Sequence, residues 1–186
     1  MTKAQLSLAV RKAIGFTVAS VLMAAIANAT TLDNKIASGA YKIITGDFDG
    51  DQKADVLYQG RRENEHELKL STEVSVQRWK DGFLGLDWNF SSVNLIVGDF
   101  NGDAAGDVIL QSQSPGLMTQ VMHAEYNGKF GNPVQAIGDY HQGFRWDDKH
   151  HRLIVGDFNG DMKDDIFLQG THNKYRHGMA LASQKG

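Results

Sequence analysis

Short apolar runs recur along the chain at matching distances from an acidic loop. Upstream of it stand Ile43-Ile44-Thr45, Leu95-Ile96-Val97 and Leu153-Ile154-Val155, each followed by a glycine (Gly46, Gly98, Gly156). Downstream stand Val56-Leu57-Tyr58, Val108-Ile109-Leu110 and Ile166-Phe167-Leu168. Continuous β-branched runs of this length, bounded by Gly and Asp, predict strands buried on both faces, although a buried helical segment has the same periodicity. The predicted unit is therefore strand, acidic loop, strand, written three times. Further strands are expected outside these units, over Glu67 to Thr72 and Val74 to Trp79 in the first repeat and from Leu117 to Tyr126 in the second. Asn127-Gly128 then gives a hairpin turn.

The loop itself is nine residues long. Its copies put oxygen-bearing side chains at positions 1, 3, 5 and 9: Asp47, Asp49, Asp51 and Asp55; Asp99, Asn101, Asp103 and Asp107; Asp157, Asn159, Asp161 and Asp165. The backbone carbonyl at position 7 (Lys53, Ala105, Lys163) adds a fifth candidate ligand. Hard oxygen donors in a turning loop suit Ca²⁺, which takes six to eight of them at roughly 2.3–2.6 Å. No imidazole or thiolate stands in the loops, which argues against zinc or copper. Two carboxylates about 4 Å apart repel by roughly 4 kcal/mol at an effective dielectric near 20, so a converging set calls for a cation or an open loop. The loop is not an EF-hand: glycine is at position 4 (Gly50, Gly102, Gly160), and position 12 is Tyr58, Leu110 or Leu168 instead of glutamate.

The repeat period is 52 and then 58 residues, counted between Asp47, Asp99 and Asp157, which suits a propeller or solenoid. Gln59, Gln111 and Gln169 lie at one shared register position and Phe48, Phe100 and Phe158 at another. Trp88 and Trp146 share a third, where the first repeat has Ile36. The Phe and Trp positions are expected to pack between repeats. Gly128 and Gly186 fall in register, so the third unit is expected to be incomplete.

Residues 1–29 read as a secretory signal peptide: Lys3, Arg11 and Lys12 precede an apolar stretch from Ile14 to Ala27, and Ala27-Asn28-Ala29 fits the cleavage site. That stretch is too short to span a bilayer, so no membrane span is expected after cleavage. The leader carries three basic residues and no acid, so its removal takes the formal charge from −3 to −6. Three Ca²⁺ ions would bring this to about zero, which gives no reason to expect nucleic acid as a partner. With no cysteine, an exported chain would have no disulfides, and metal linkage could supply part of that stabilisation. Residues 30–40 read as a linker or closing strand, and 41–186 as the repeat domain. No Gly-x-Ser-x-Gly, Cys nucleophile or His-Glu-x-x-His is present, so no catalysis is expected. His150-His151, His172 and His177 read as polar loop histidines.

Gly-Asp-Phe-Asn-Gly-Asp after an apolar run, followed by Asp and a second apolar strand, resembles the FG-GAP/VCBS repeat of integrin-alpha-type β-propellers and exported bacterial proteins. The strands ending in Gln59, Gln111 and Gln169 are similar to propeller segments of RHS-type and insecticidal-toxin-like secreted proteins. The resemblance covers residues 41–186. It implies an all-β partial β-propeller of about three four-stranded blades, the last incomplete, with up to three Ca²⁺ ions in the loops named above and weaker binding in the second. Asp164 is expected to act through water or to face solvent. The implied function is a secreted calcium-binding module for adhesion or interaction with a protein or glycan. The alternatives are a non-catalytic portion of an exported toxin and a propeller-framed hydrolase or lyase. Because closed propellers usually have four to eight blades, the chain is expected to be a fragment of a longer propeller, a homo-oligomer, or an open array.

Overall fold

The computed structural model describes Asn34, 37–61, 65–72, 76–138 and 140–182. Residues 1–29, read from the sequence as a signal peptide, and Ile36 and Gly186 lie outside the described residues. The chain divides into two compact units, Met1–Ala40 and Tyr41–Gly186. In the first, Asn34 and Ala37 have helical geometry, and Ser38 N–H donates to the Asn34 carbonyl at 3.0 Å.

The second unit is all-β. Its strands are β1 (Tyr41–Gly46), β2 (Asp55–Gly60), β3 (His66–Lys69), β4 (Val76–Trp79), β5 (Val93–Gly98), β6 (Asp107–Ser112) and β7 (Thr119–Met122). They continue with β8 (Gln135–Ile137), β9 (Tyr140–His141), β10 (Phe144–Arg145), β11 (His151–Gly156), β12 (Asp165–Gly170) and β13 (Gly178–Ala180). All pairings are antiparallel between neighbours in sequence. They give two four-stranded sheets (β1-β2-β3-β4 and β5-β6-β7-β8), a three-stranded sheet (β11-β12-β13) and the small ribbon β9-β10. Each predicted strand–loop–strand unit is the first hairpin of a sheet, and its register is the same in all three copies: Gly46 pairs with Asp55, Gly98 with Asp107 and Gly156 with Asp165.

Burial on both faces is true of the strand after each of the first two loops, is partial in β12, where Gln169 is exposed, and fails in the strands before the loops. β2 and β6 are almost wholly buried, whereas β1 is half-buried and β11 alternates. The sheet order explains this, because β1, β5 and β11 are terminal strands with one neighbour while β2, β6 and β12 have two. The outer strands are also shorter than expected. β7 covers Thr119–Met122 only, leaving Leu117, Met118 and Tyr126 exposed. The Asn127-Gly128 turn closes a single bridge, Ala124 with Phe130, and the fourth strand begins later, at Gln135. Gly128 has a φ of 69°, the left-handed value that a tight turn needs.

Two apolar cores lie between successive sheets. The first centres on Trp88, Phe48, Leu57, Leu68 and Leu110, the second on Ile109, Trp146, Leu153, Ile166 and Leu168. Trp88 and Trp146 are buried, as expected of packing residues, and each donates its indole N–H to a backbone carbonyl, of Phe83 (3.1 Å) and His141 (3.4 Å). Edge-on and tilted ring contacts fill the first junction: Trp79–Trp88 at 5.1 Å, Trp88–Phe130 at 5.5 Å and Phe48–Phe130 at 5.9 Å between centroids. At the second junction the matching place is a cavity of about 430 Å³, lined among others by Phe100, Ile109, Trp146 and Ile166.

Candidate metal centre

The first loop brings three of its four predicted acids together. One carboxylate oxygen each from Asp47, Asp49 and Asp55 lies within 4.8 Å of the others, the only such acidic group among the described residues. Two oxygens that each sit about 2.4 Å from one ion are at most about 4.8 Å apart, so this spacing fits one shared Ca²⁺. Burial, followed by the charges of Asp55, Asp51 and Asp47, raises the Asp49 pKa above the usual carboxylate range, against the opposing pull of the Asp51 N–H. A cation would relieve that repulsion.

The fourth acid is turned elsewhere. Asp51 pairs with the Lys53 ammonium at 2.8 Å and accepts the Lys53 N–H at 2.9 Å. The side-chain bond from Lys53 holds the Asp51 carboxyl below its usual range. In the second and third loops the position-3 residue is an amide. Asn101 and Asn159 donate their Nδ2–H to Asp103 (3.0 Å) and Asp161 (3.2 Å), and their Oδ1 accepts the same aspartates' N–H, at 2.8 Å in both. Among the described residues no trio of acids converges in these two loops.

The backbone of the loop is the same in all three copies. The position-1 carboxylate caps it from within: Asp47 accepts the N–H groups of Gly50 (2.8 Å), Asp51 (3.1 Å) and Gln52 (2.7 Å), and Asp99 and Asp157 repeat the pattern. For Asp157 the backbone bonds outweigh desolvation and lower the pKa. Position 6 has a positive φ in every copy, 65° at Gln52, 70° at Ala104 and 68° at Met162. A left-handed residue costs roughly 1–2 kcal/mol when it is not glycine. The position is Gln, Ala or Met, so no shared residue type marks it in the sequence.

Position 9 does a different job. Asp55, Asp107 and Asp165 are buried at the first residue of β2, β6 and β12. One oxygen of each accepts the position-2 N–H (Phe48 2.8 Å, Phe100 3.0 Å, Phe158 3.1 Å). The other accepts an N–H just beyond the third strand or its equivalent (Ser71 2.7 Å, Ala124 2.9 Å, Ala182 2.7 Å). These carboxylates tie the loop to its own sheet whether or not a metal binds. Each oxygen keeps a second lone pair, so Asp55 can still serve a cation. Burial pushes the Asp107 pKa up to about 7, against its two backbone donors.

Loops are also stitched to one another. Position 8 of the next loop donates to the position-1 carbonyl of the one before: Gly106 N–H to Asp47, and Asp164 N–H to Asp99 at 2.7 Å. The Asp164 carboxylate in turn accepts the Asp99 N–H at 2.8 Å, so it bonds to protein where water or solvent was expected. The shared glutamines have a comparable role. Gln59 Nε2–H bonds to the carbonyls of Trp88 (2.9 Å) and Val93 (3.1 Å), and Gln111 Nε2–H to those of Trp146 (3.1 Å) and His151 (2.8 Å).

The histidines divide. His172 and His177 lie in an exposed loop, and His150 in a turn where its Nδ1 meets Asp147 at 2.6 Å. His151, however, is buried in β11, with Nε2–H donating to the Arg176 carbonyl at 3.0 Å. His66, fully buried in β3, accepts Gly60 N–H at Nδ1 (3.0 Å) and meets Asp81 through Nε2 (3.0 Å). Burial lowers its pKa more than Asp81 raises it. None of the histidines joins an acidic cluster of metal-ligand spacing among the described residues.

No protein-family model matches the chain, and no curated protein does. Among solved structures, a chain of the Photorhabdus luminescens Tc holotoxin pore is similar in fold, with a TM-score of 0.56 at 14% identity over 78% of this chain. The match spans 6% of that chain's length. At this identity the likeness concerns fold alone.

Proposed function

We propose that this chain is an exported calcium-binding β-propeller segment whose work is interaction with a protein or glycan and not catalysis. The observation that carries the calcium reading is the convergence of Asp47, Asp49 and Asp55 in the first of three loops with one backbone design. The first loop would hold the ion through these three, with the Lys53 carbonyl adding a neutral oxygen. Asp51 would join once Lys53 releases it. In the other loops Asp99, Asn101, Asp103, Ala105 and Asp107, and Asp157, Asn159, Asp161, Lys163 and Asp165, would offer the ion one carboxylate fewer and should bind more weakly. The ion would supply charge neutralisation and a rigid turn. The open, half-apolar cavity beside Trp146 is of the size of small-ligand sites and is the concave surface such an interaction would use.

The fold likeness to part of the Tc holotoxin pore favours a second reading, a non-catalytic propeller portion of a larger exported toxin. The two readings share the metal loops and differ in whether the segment works alone. Isothermal titration of chelator-treated protein tests the shared part: heat and a rise in melting temperature with Ca²⁺, lost first on Asp49→Ala, support it. No response at millimolar Ca²⁺ rejects it. Binding of the isolated protein to a glycan array or to cells favours the stand-alone module. A flanking reading frame that encodes more of these repeats favours the toxin portion.

A further inference from the structure

The two junctions between successive repeats are built to one plan. A Cβ added at Gly46 would lie 2.9 Å from Val97 Cγ1, and one at Gly98 would lie 2.7 Å from Val155 Cγ1. Each glycine is thus a slot filled by the valine two residues ahead of the next loop. Gly50 faces the Ala104 carbonyl of the next loop, and Gly102 the Met162 carbonyl, both at 3.6 Å from an added Cβ. The position-1 carbonyl takes the next loop's position-8 N–H, and the shared glutamine amide takes two carbonyls of the next repeat.

The third repeat carries the same socket with nothing in it among the described residues. A Cβ at Gly156 would meet only its own Phe158, at 3.5 Å, and one at Gly160 would meet nothing within 4 Å. Gln169 is exposed, and among the described residues its amide makes no bond of the kind made by Gln59 and Gln111. Phe158 is 47% exposed where Phe48 is fully buried. Met162 and Met179 are exposed as well. This is a large unpartnered face with specific polar requirements, unlike scattered surface apolar residues.

The first repeat carries the matching plug. Thr45, β-branched and exposed, stands where Val97 and Val155 stand. The Ala54 N–H, at loop position 8, has no partner among the described residues, as Gly106 and Asp164 do. We propose that the face of the third repeat docks the first repeat of a second copy of this chain, head to tail, reproducing the internal junction. Such an interface is heterologous, so it closes into a ring or extends as an array according to the rotation it imposes. The assembly needs only the repeat geometry and is independent of the metal reading.

Sedimentation of the protein, in chelator and in Ca²⁺, reads the outcome. Wild type is expected above single-chain mass. Gly156→Arg and Thr45→Arg should each sediment as a single chain with an unchanged circular dichroism spectrum, because among the described residues Thr45 is exposed and a Cβ at Gly156 meets only the half-exposed Phe158, at ordinary contact distance. Mixing the two variants should restore a one-to-one complex, since each keeps the half that the other lacks. A wild-type protein that stays at single-chain mass up to its solubility limit overturns the proposal. So does an assembly that survives both substitutions, which would place the contact elsewhere.

Discussion

Asp55, Asp107 and Asp165 look like metal ligands in the sequence, yet each spends both carboxylate oxygens on backbone N–H groups. Asp55→Ala should therefore destabilise the chelator-treated protein by about 3 kcal/mol or more, since it strips a charged acceptor from the Phe48 and Ser71 N–H groups. Asp49→Ala should cost the metal-free protein little while removing the calcium response. Denaturant titrations with and without Ca²⁺ distinguish the two. Asp107 makes a pH prediction. Its folded pKa, about 7, is above the unfolded carboxylate value, so the native state binds the extra proton between those values and its contribution to stability falls as pH rises through that window. The stability advantage of wild type over Asp107→Asn, measured in chelator, should be larger at pH 5 than at pH 7.5. Comparison with this variant cancels the opposite contribution of His66, whose lowered pKa costs stability as pH falls. An advantage that grows with pH would show that the two backbone donors outweigh burial.

At the scale of elements, the three hairpins were legible because strand, loop and strand repeat with an invariant register. The outer strands were less so. β4, β8 and β13 are three or four residues long, and their positions depend on tertiary bonds such as Val134 N–H to the Val121 carbonyl, which leave no residue pattern. Gly46 and Gly98 read only as strand-ending glycines, although they are the slots for Val97 and Val155. Gly98→Ala should lower stability by about 1–3 kcal/mol through overpacking, whereas Gly156→Ala, whose added Cβ would meet only Phe158 at an ordinary contact distance of 3.5 Å, should be neutral or slightly stabilising in a single chain. Thermal melts of the two variants check this. Equal losses would mean that the junction yields more easily than its contacts imply.

For the whole molecule, period and register foretold a row of similar sheets, and the structure has that row: two of four strands and one of three. The loop acids were legible as a repeated set, but which of them converge was not. The difference between the first loop and the others rests on Asp49 against Asn101 and Asn159, and on whether Lys53 holds Asp51, which depends on side-chain direction. The glutamines show the same limit, since register marked them as shared while only the folded junction shows that they bridge repeats. On the proposed reading these turns hold calcium, and calorimetric Ca²⁺ titration of the chelator-stripped protein is the decisive measurement. Saturable binding is expected, with one tight site lost on Asp49→Ala and weaker sites that survive it. An absence of binding heat at millimolar Ca²⁺, or an isotherm that Asp49→Ala leaves unchanged, would contradict it.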